Sequence, residues 1–147
     1  MKIALGTGKI KHDGYINCDI DPSQYPDRIV DVRQPLPFDD ESCLEVLCEN
    51  LFDSLTRPEF VGLMREIWRV LECGGVLNFL QCNSLRNMED QLAFPYCQSL
   101  YTAKTFKFFD KDQHEHKEWV EIYNLPAFHS LKISHNESGI MTGQLTK

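Results

Sequence analysis

Two apolar runs near the amino terminus constrain the fold more than any other feature of the chain. Lys2-Ile3-Ala4-Leu5 stops at Gly6-Thr7-Gly8, and Tyr15-Ile16-Asn17-Cys18 stops at Asp19-Ile20-Asp21. The intervening stretch, Lys9 to Gly14, is too short and too glycine-flanked for a helix. Both runs read as strands ending at the same edge. Glycines let backbone approach a ligand where any Cβ would collide. A carboxylate at the tip of the neighbouring strand is placed to accept both hydroxyl protons of a ribose. A Gly-x-Gly turn after a strand is also an ordinary tight turn, so the rest of the chain decides between the two.

Downstream, Arg28-Ile29-Val30-Asp31 reads as a third strand and Pro35 to Phe38 as a rigid extended linker. Cys43 to Cys48 is apolar at most positions, which predicts a fourth strand buried on both faces, as in a parallel sheet. The clearest helix follows. Thr56 and Glu59 form a capping-box pattern, with Pro58 in the first turn. Phe60, Leu63, Met64, Ile67, Trp68 and Leu71 recur at helical spacing. Gly74-Gly75 is expected to end this helix as a left-handed cap, and Val76 to Leu80 is a fifth strand. Leu85 to Leu92 is expected to form a short helix. Residues 112–124 read as another, with Trp119, Ile122 and Tyr123 on one face. Phe128 to Ser134 and Ile140 to Thr146 read as strands joined by a hairpin loop, His135 to Gly139.

This order predicts an α/β fold in one domain, residues 1–147, with a mostly parallel sheet closed by a C-terminal antiparallel β-hairpin. Ligands of such sheets lie beyond the carboxyl ends of the strands. Gly6, Gly8, Asp19, Asp31 and the Glu49-Asn50 pair all fall at that edge.

The 147 residues carry a net charge of −7 and a pI near 5.2, which disfavours nucleic acid as a partner because phosphates are repelled. The Lys104 to Lys111 stretch, three lysines among three phenylalanines, is the one basic candidate and reads as solvated lysines flanking core aromatics. No apolar run approaches the ~20 residues that cross a bilayer, and the start lacks a signal-peptide pattern. The six cysteines show no metal or disulfide spacing. Reduced thiols and a cytoplasmic location are therefore expected. His114 and His116, two apart, point to different faces of a helix and read as solvated; His12 and His129 carry little information.

Four segments, in order, resemble the class I SAM-dependent methyltransferases, in particular a small type-11-like branch. Leu5 to Gly8 with Gly14 to Asp21 is similar to that family's glycine motif and second strand. Asp31-Val32-Arg33-Gln34-Pro35-Leu36-Pro37-Phe38 is similar to its third-strand loop. Leu44 to Leu55 matches its fourth strand and the turn after it, and Arg69 to Leu77 its turn into the fifth. The likeness covers residues 1–82; the C-terminal third fits as helix plus hairpin. It implies a Rossmann-like fold lacking the usual first helix, with S-adenosyl-L-methionine (SAM) as cofactor and transfer of its methyl group to an unidentified acceptor. It also implies a site. Leu5, Gly6, Thr7 and Gly8 pass beside the methionine part. Asp19, followed by Ile20, grips the ribose. Asp31 bonds the adenine amino group and Val32 lies on the ring. Glu49 and Asn50 lie near the sulfonium and the acceptor.

The chain departs from the family pattern at three points. The third glycine of the first motif is absent. No helix separates the first two strands. Asn50, Asp53 and Ser54 stand where relatives carry a His-x-x-Glu-His pattern. These departures keep open a second class of function, a degenerate module that serves as a partner without transferring methyl groups. A nicotinamide-dependent oxidoreductase is disfavoured by the same glycine pattern. No residue is assigned as a catalytic base, and neither the acceptor nor the oligomeric state is specified.

Overall fold

The computed structural model describes residues 1–82, 89, 93, 95–137 and 139–147. The helix expected over Leu85 to Leu92 lies outside the described residues apart from Glu89. Strands β1 (Lys2–Leu5), β2 (Ile16–Asp19), β3 (Arg28–Ile29), β4 (Cys43–Glu49), β5 (Leu71–Cys82), β6 (His129–His135) and β7 (Ile140–Thr146) form one sheet. Their order is β3-β2-β1-β4-β5-β7-β6. The first five pair in parallel, and β7 inserts antiparallel between β5 and β6. The sheet class, with its C-terminal antiparallel hairpin, is the one expected.

Helix α1 (Arg57–Val70) starts as its sequence dictates: the Thr56 backbone N–H donates to Glu59 at 2.8 Å, and the Glu59 N–H returns to the Thr56 hydroxyl at 3.4 Å. Its end corrects the expectation. The helix stops at Val70, and Leu71 is already extended and paired with Cys43. The glycine pair lies inside β5, where Gly74 turns the chain at φ 82 and donates to the Lys147 carbonyl at 3.0 Å. A Cβ on Gly75 would sit 2.9 Å from the Glu72 carbonyl oxygen. Strand pairing, not a left-handed cap, therefore ends this helix.

Registers align Ile3, Val46, Leu77 and Leu145 across the sheet, then Leu5, Cys48, Phe79 and Gly143. This face is buried beneath α1, through Phe60, Leu63, Met64 and Ile67, and beneath α2 (Ala103–Lys107). Phe79 stacks on Phe106 at 4.1 Å between ring centroids, and Phe52, Phe60 and Tyr101 complete the aromatic core. Lys104, Lys107 and Lys111 stay in solvent while Phe106 and Phe109 are buried, as expected for that stretch.

The opposite face overturns the expectation that β4 is buried on both sides. Glu45 there accepts from Lys2 at 2.8 Å, from Asn78 at 2.6 Å and from the Tyr15 hydroxyl. Gln144 donates to Asn78 at 2.9 Å, and Ser134 and Thr142 bond each other at 2.7 Å. Burial disfavours ionised Glu45, yet these donors win and hold its carboxyl below the usual range. Burial, helped by Glu45, pushes the Tyr15 phenol up to about 12. Among the described residues a polar ladder thus lines this side of the sheet.

Helix α3 (His114–Tyr123) also departs from its predicted face. Ile122 and Tyr123 are exposed and Trp119 is only half-buried. The buried residue is His116, whose Nδ1 lies 2.8 Å from the Phe108 carbonyl oxygen; His114 is solvated as read. The helix docks through His116 onto the end of α2 and through Trp119 and Val120 onto the core, while Glu121, Ile122 and Tyr123 are exposed.

Candidate functional site

Two of the three chain segments that carry the expected site residues meet at the carboxyl ends of β1, β2 and β4. In the first, Gly6 (φ 67) and Gly8 (φ 52) occupy the left-handed region that glycine adopts freely. Gly6 and Thr7 both donate their N–H to the Cys18 carbonyl, at 2.8 and 3.2 Å. Gly8 donates to Asp19 Oδ2 at 2.7 Å, and Asp21 donates to Asp19 Oδ1 at 2.9 Å. The carboxylate expected to meet a ribose thus also ties the glycine turn to β2. Ile20 beside it is half in solvent.

The turn is open at one glycine and closed at the other. A Cβ on Gly8 would meet nothing within 4 Å, whereas one on Gly6 would lie 2.7 Å from Leu51 Cδ1. Between them Thr7 Oγ1 is buried and has no hydrogen-bond partner among the described residues. A buried hydroxyl without a partner is unusual and calls for a water, an ion or a ligand atom to satisfy it.

The second segment ends β4. Asn50 turns at φ 49 and donates to the Leu80 carbonyl at 2.8 Å, which fixes Glu49 at the rim. Glu49 Oε2 lies 3.5 Å from His12 Nε2. His12, which carried little information in the sequence, is 19% exposed in its side chain and lines the rim cavity. Its position follows from Asn17, whose buried amide oxygen accepts the His12 N–H at 2.8 Å while its backbone N–H donates to Asp27 at 2.8 Å. Leu5, Gly6, Thr7, His12, Glu49 and Asn50 surround a cavity of about 50 Å³.

The third segment carries Asp31, which stands outside that cavity together with Val32 and Ile20. Arg33 grips both oxygens of Asp31, Nε at 2.8 Å and Nη2 at 2.9 Å, and holds its carboxyl below the usual range. The structure therefore brings together Leu5, Gly6, Thr7, Glu49 and Asn50, attaches Gly8 and Asp19 to them by hydrogen bonds, and leaves the Asp31 segment separate.

Sequence reasoning missed His12 and Leu51 as site residues, because a lone histidine in a lysine-rich loop carries no spacing signal and a leucine after β4 reads as core. It also missed what Asp53 does. Burial pushes the Asp53 carboxyl up, and the fully buried Gln81 amide faces it without reaching hydrogen-bond geometry. The Glu49-to-Ser54 departure from the family pattern was the only signal at this position.

No protein-family model and no curated protein sequence matches the chain. Solved structures do. A SAM-dependent methyltransferase from Archaeoglobus fulgidus superposes with a TM-score of 0.75 at 11% identity, covering 99% of this chain and 85% of the other. A chain of the Haloferax volcanii complex between the Trm112 methyltransferase activator and a proposed methyltransferase gives 0.67 at 16% identity, covering 99% and 81%. A SAM-dependent methyltransferase from Methanosarcina mazei gives 0.61 at 14% identity, covering 99% and 89%. Strand order, direction and these superpositions agree: the chain has the fold of the class I SAM-dependent methyltransferases.

Proposed function

We propose that this chain binds SAM at the rim formed by β1, β2 and β4 and transfers its methyl group to an acceptor. The observation that carries the reading is the Gly6-Thr7-Gly8 turn bonded to the Asp19 carboxylate, with the orphaned Thr7 hydroxyl between the glycines. The residues fit the cofactor. Each Asp19 oxygen accepts one backbone N–H and keeps a lone pair for a ribose hydroxyl. Gly8 leaves open the space that a methionine moiety would fill. Bound SAM would supply an activated methyl on a good leaving group. The protein then has to align the acceptor and exclude water, and alignment alone is worth roughly 7–11 kcal/mol in favourable cases. Glu49, facing the rim with His12 beside it, is placed to take a proton from an acceptor that must lose one, a contribution of ~10²–10⁴-fold. The cavity of about 50 Å³ is far below the roughly 300–1,000 Å³ of small-molecule sites. The rim has to open for a ligand of that size, and Leu51, whose side chain rests against Gly6, is a flexible group beside it. On this reading residues 1–147 act as one unit in the cytoplasm.

Two observations favour a second reading. Arg33 already occupies both oxygens of Asp31, and Leu51 rests against Gly6. A module that binds cofactor weakly and works through a protein partner would show both, and the Haloferax neighbour was solved with an activator protein. Calorimetric titration with S-adenosylhomocysteine separates the two. Saturable binding supports the enzyme, and a ligand at 100 times its dissociation constant adds about 2.7 kcal/mol of stability. No heat at millimolar ligand supports the module. A screen with labelled methyl donor then identifies the acceptor.

A further inference from the structure

We infer that the cavity between α1 and α2 is a binding site for a small aromatic anion, a flat ring bearing one carboxylate or phosphate. The cavity holds about 680 Å³, within the roughly 300–1,000 Å³ of small-molecule sites. It shares no lining residue with the rim cavity around the glycine turn. Four of its lining residues are rings: Phe60 and Phe109, almost fully buried beneath it, Phe108, half-buried, and Tyr123, exposed. Such walls favour a planar aromatic guest through edge and face contacts.

Charge selects the rest of the ligand. The chain carries −7, yet this cavity is lined by Arg57, Arg65 and Lys104 and by no acidic side chain among the described residues. The two arginines are held in place. Arg65 donates to the Asn124 carbonyl at 2.9 Å and to the Tyr123 carbonyl, stapling the end of α3 to α1. Arg57 donates to the Leu100 carbonyl and lies 4.9 Å over the Tyr101 ring. Each guanidinium has five N–H donors and spends one or two of them on these carbonyls. Fixed cations with spare donors beside an aromatic floor suit an anionic group on a ring. Salt screens exposed cations, so a bare anion gains little there, and a neutral ring leaves them unused.

The test is an NMR titration of the full chain, saturated with S-adenosylhomocysteine, using phenyl phosphate, benzyl alcohol and inorganic phosphate as probes. Phenyl phosphate is expected to give saturable shifts at Val61 and Thr105, with a dissociation constant about tenfold below that of either other probe. Lys104→Gln, an exposed substitution that spares the fold, is expected to weaken it about two- to fivefold. The inference is overturned by any of three results: no saturable shift, benzyl alcohol binding as tightly, or phenyl phosphate shifts centred on Gly8 and Glu49. Undiminished binding by Lys104→Gln overturns it as well. The inference does not rest on methyl transfer. Should S-adenosylhomocysteine fail to bind, the same titration is run without it and reads the same residues.

Discussion

Gly8→Ala separates what the scaffold needs at the glycine turn from what a ligand needs. At φ 52 an L-residue pays the left-handed penalty of roughly 1–2 kcal/mol. Nothing further is expected from packing, because the new Cβ meets no atom within 4 Å. Gly6→Ala carries the same backbone strain and adds a contact at 2.7 Å with Leu51 Cδ1. Pushing Leu51 off its rotamer costs about 0.5–1.5 kcal/mol more. Urea denaturation should therefore rank Gly6→Ala below Gly8→Ala by about 1 kcal/mol, both below the parent. Binding should not follow that ranking. On the proposed reading the methyl group of Gly8→Ala enters open space that the bound cofactor fills, so S-adenosylhomocysteine affinity is expected to drop by about tenfold or more, at 1.4 kcal/mol per factor of ten. Equal dissociation constants for the parent and a folded Gly8→Ala would refute the placement of the cofactor against this turn. A stability loss larger for Gly8→Ala than for Gly6→Ala would refute the reading of the free space itself.

Asp19→Ala should weaken S-adenosylhomocysteine binding and also loosen the turn, since Gly8 and Asp21 lose their shared acceptor; calorimetry and amide exchange at Gly8 report the two effects separately. Gly143→Ala should destabilise by about 1–3 kcal/mol in chemical denaturation, because its Cβ would fall 2.1 Å from the Phe79 ring, itself stacked on Phe106. Ile67→Ala should cost ~2–5 kcal/mol as a cavity under α1, without the loss of affinity seen at Gly8. Glu66 gives a pH dependence. Hydrogen bonds from Arg69, followed by the Leu36 N–H, hold its carboxyl below its ordinary 4.5. The stability it contributes is therefore complete above pH 4.5 and is lost as pH falls through the lowered value. Thermal midpoints of Glu66→Gln should fall less steeply over that acid window than those of the parent, and parallel slopes would contradict the assignment.

What the sequence revealed and what it concealed divide along the range of the interactions. The capping box of Thr56 and Glu59 is local, so it was legible and correct to the residue. The tips of β1 and β2 were legible because glycines and an aspartate end apolar runs there. The face of β4 was misread although the signal was present: Glu45 and Glu49 sit four apart, on one side of a strand, inside a run whose overall composition is apolar. The end of α1 was misread because a Gly-Gly pair suits a cap and a bulge equally, and only the partner strand decides. His116 looked solvated by spacing alone, whereas its burial depends on where the end of α2 lies. The resemblance assigned Asp31 to adenine, whereas the structure pairs it with Arg33 two residues away, a contact that short spacing alone allows.

The absence of a helix between β1 and β2 changes how the candidate site is held. A helix starting at the glycine turn would supply backbone donors from its N-terminus and anchor the turn by packing. Here the same work falls to β2. Cys18 accepts from Gly6 and Thr7, Asp19 accepts from Gly8, and Asn17 fixes His12. Asn17 is in turn fixed from the outer edge, where Asp27 accepts its backbone and amide N–H groups and donates its own N–H to the Asn17 carbonyl at 2.8 Å. The chain of bonds from Asp27 through Asn17 to His12 and Glu49 therefore crosses from the sheet edge to the rim. Because β3 adds only two residues beyond β2, this edge is held by few ladder bonds. The bonds between Asp27 and Asn17 therefore carry much of the hold on this edge, and a substitution at Asp27 acts on the site from outside it.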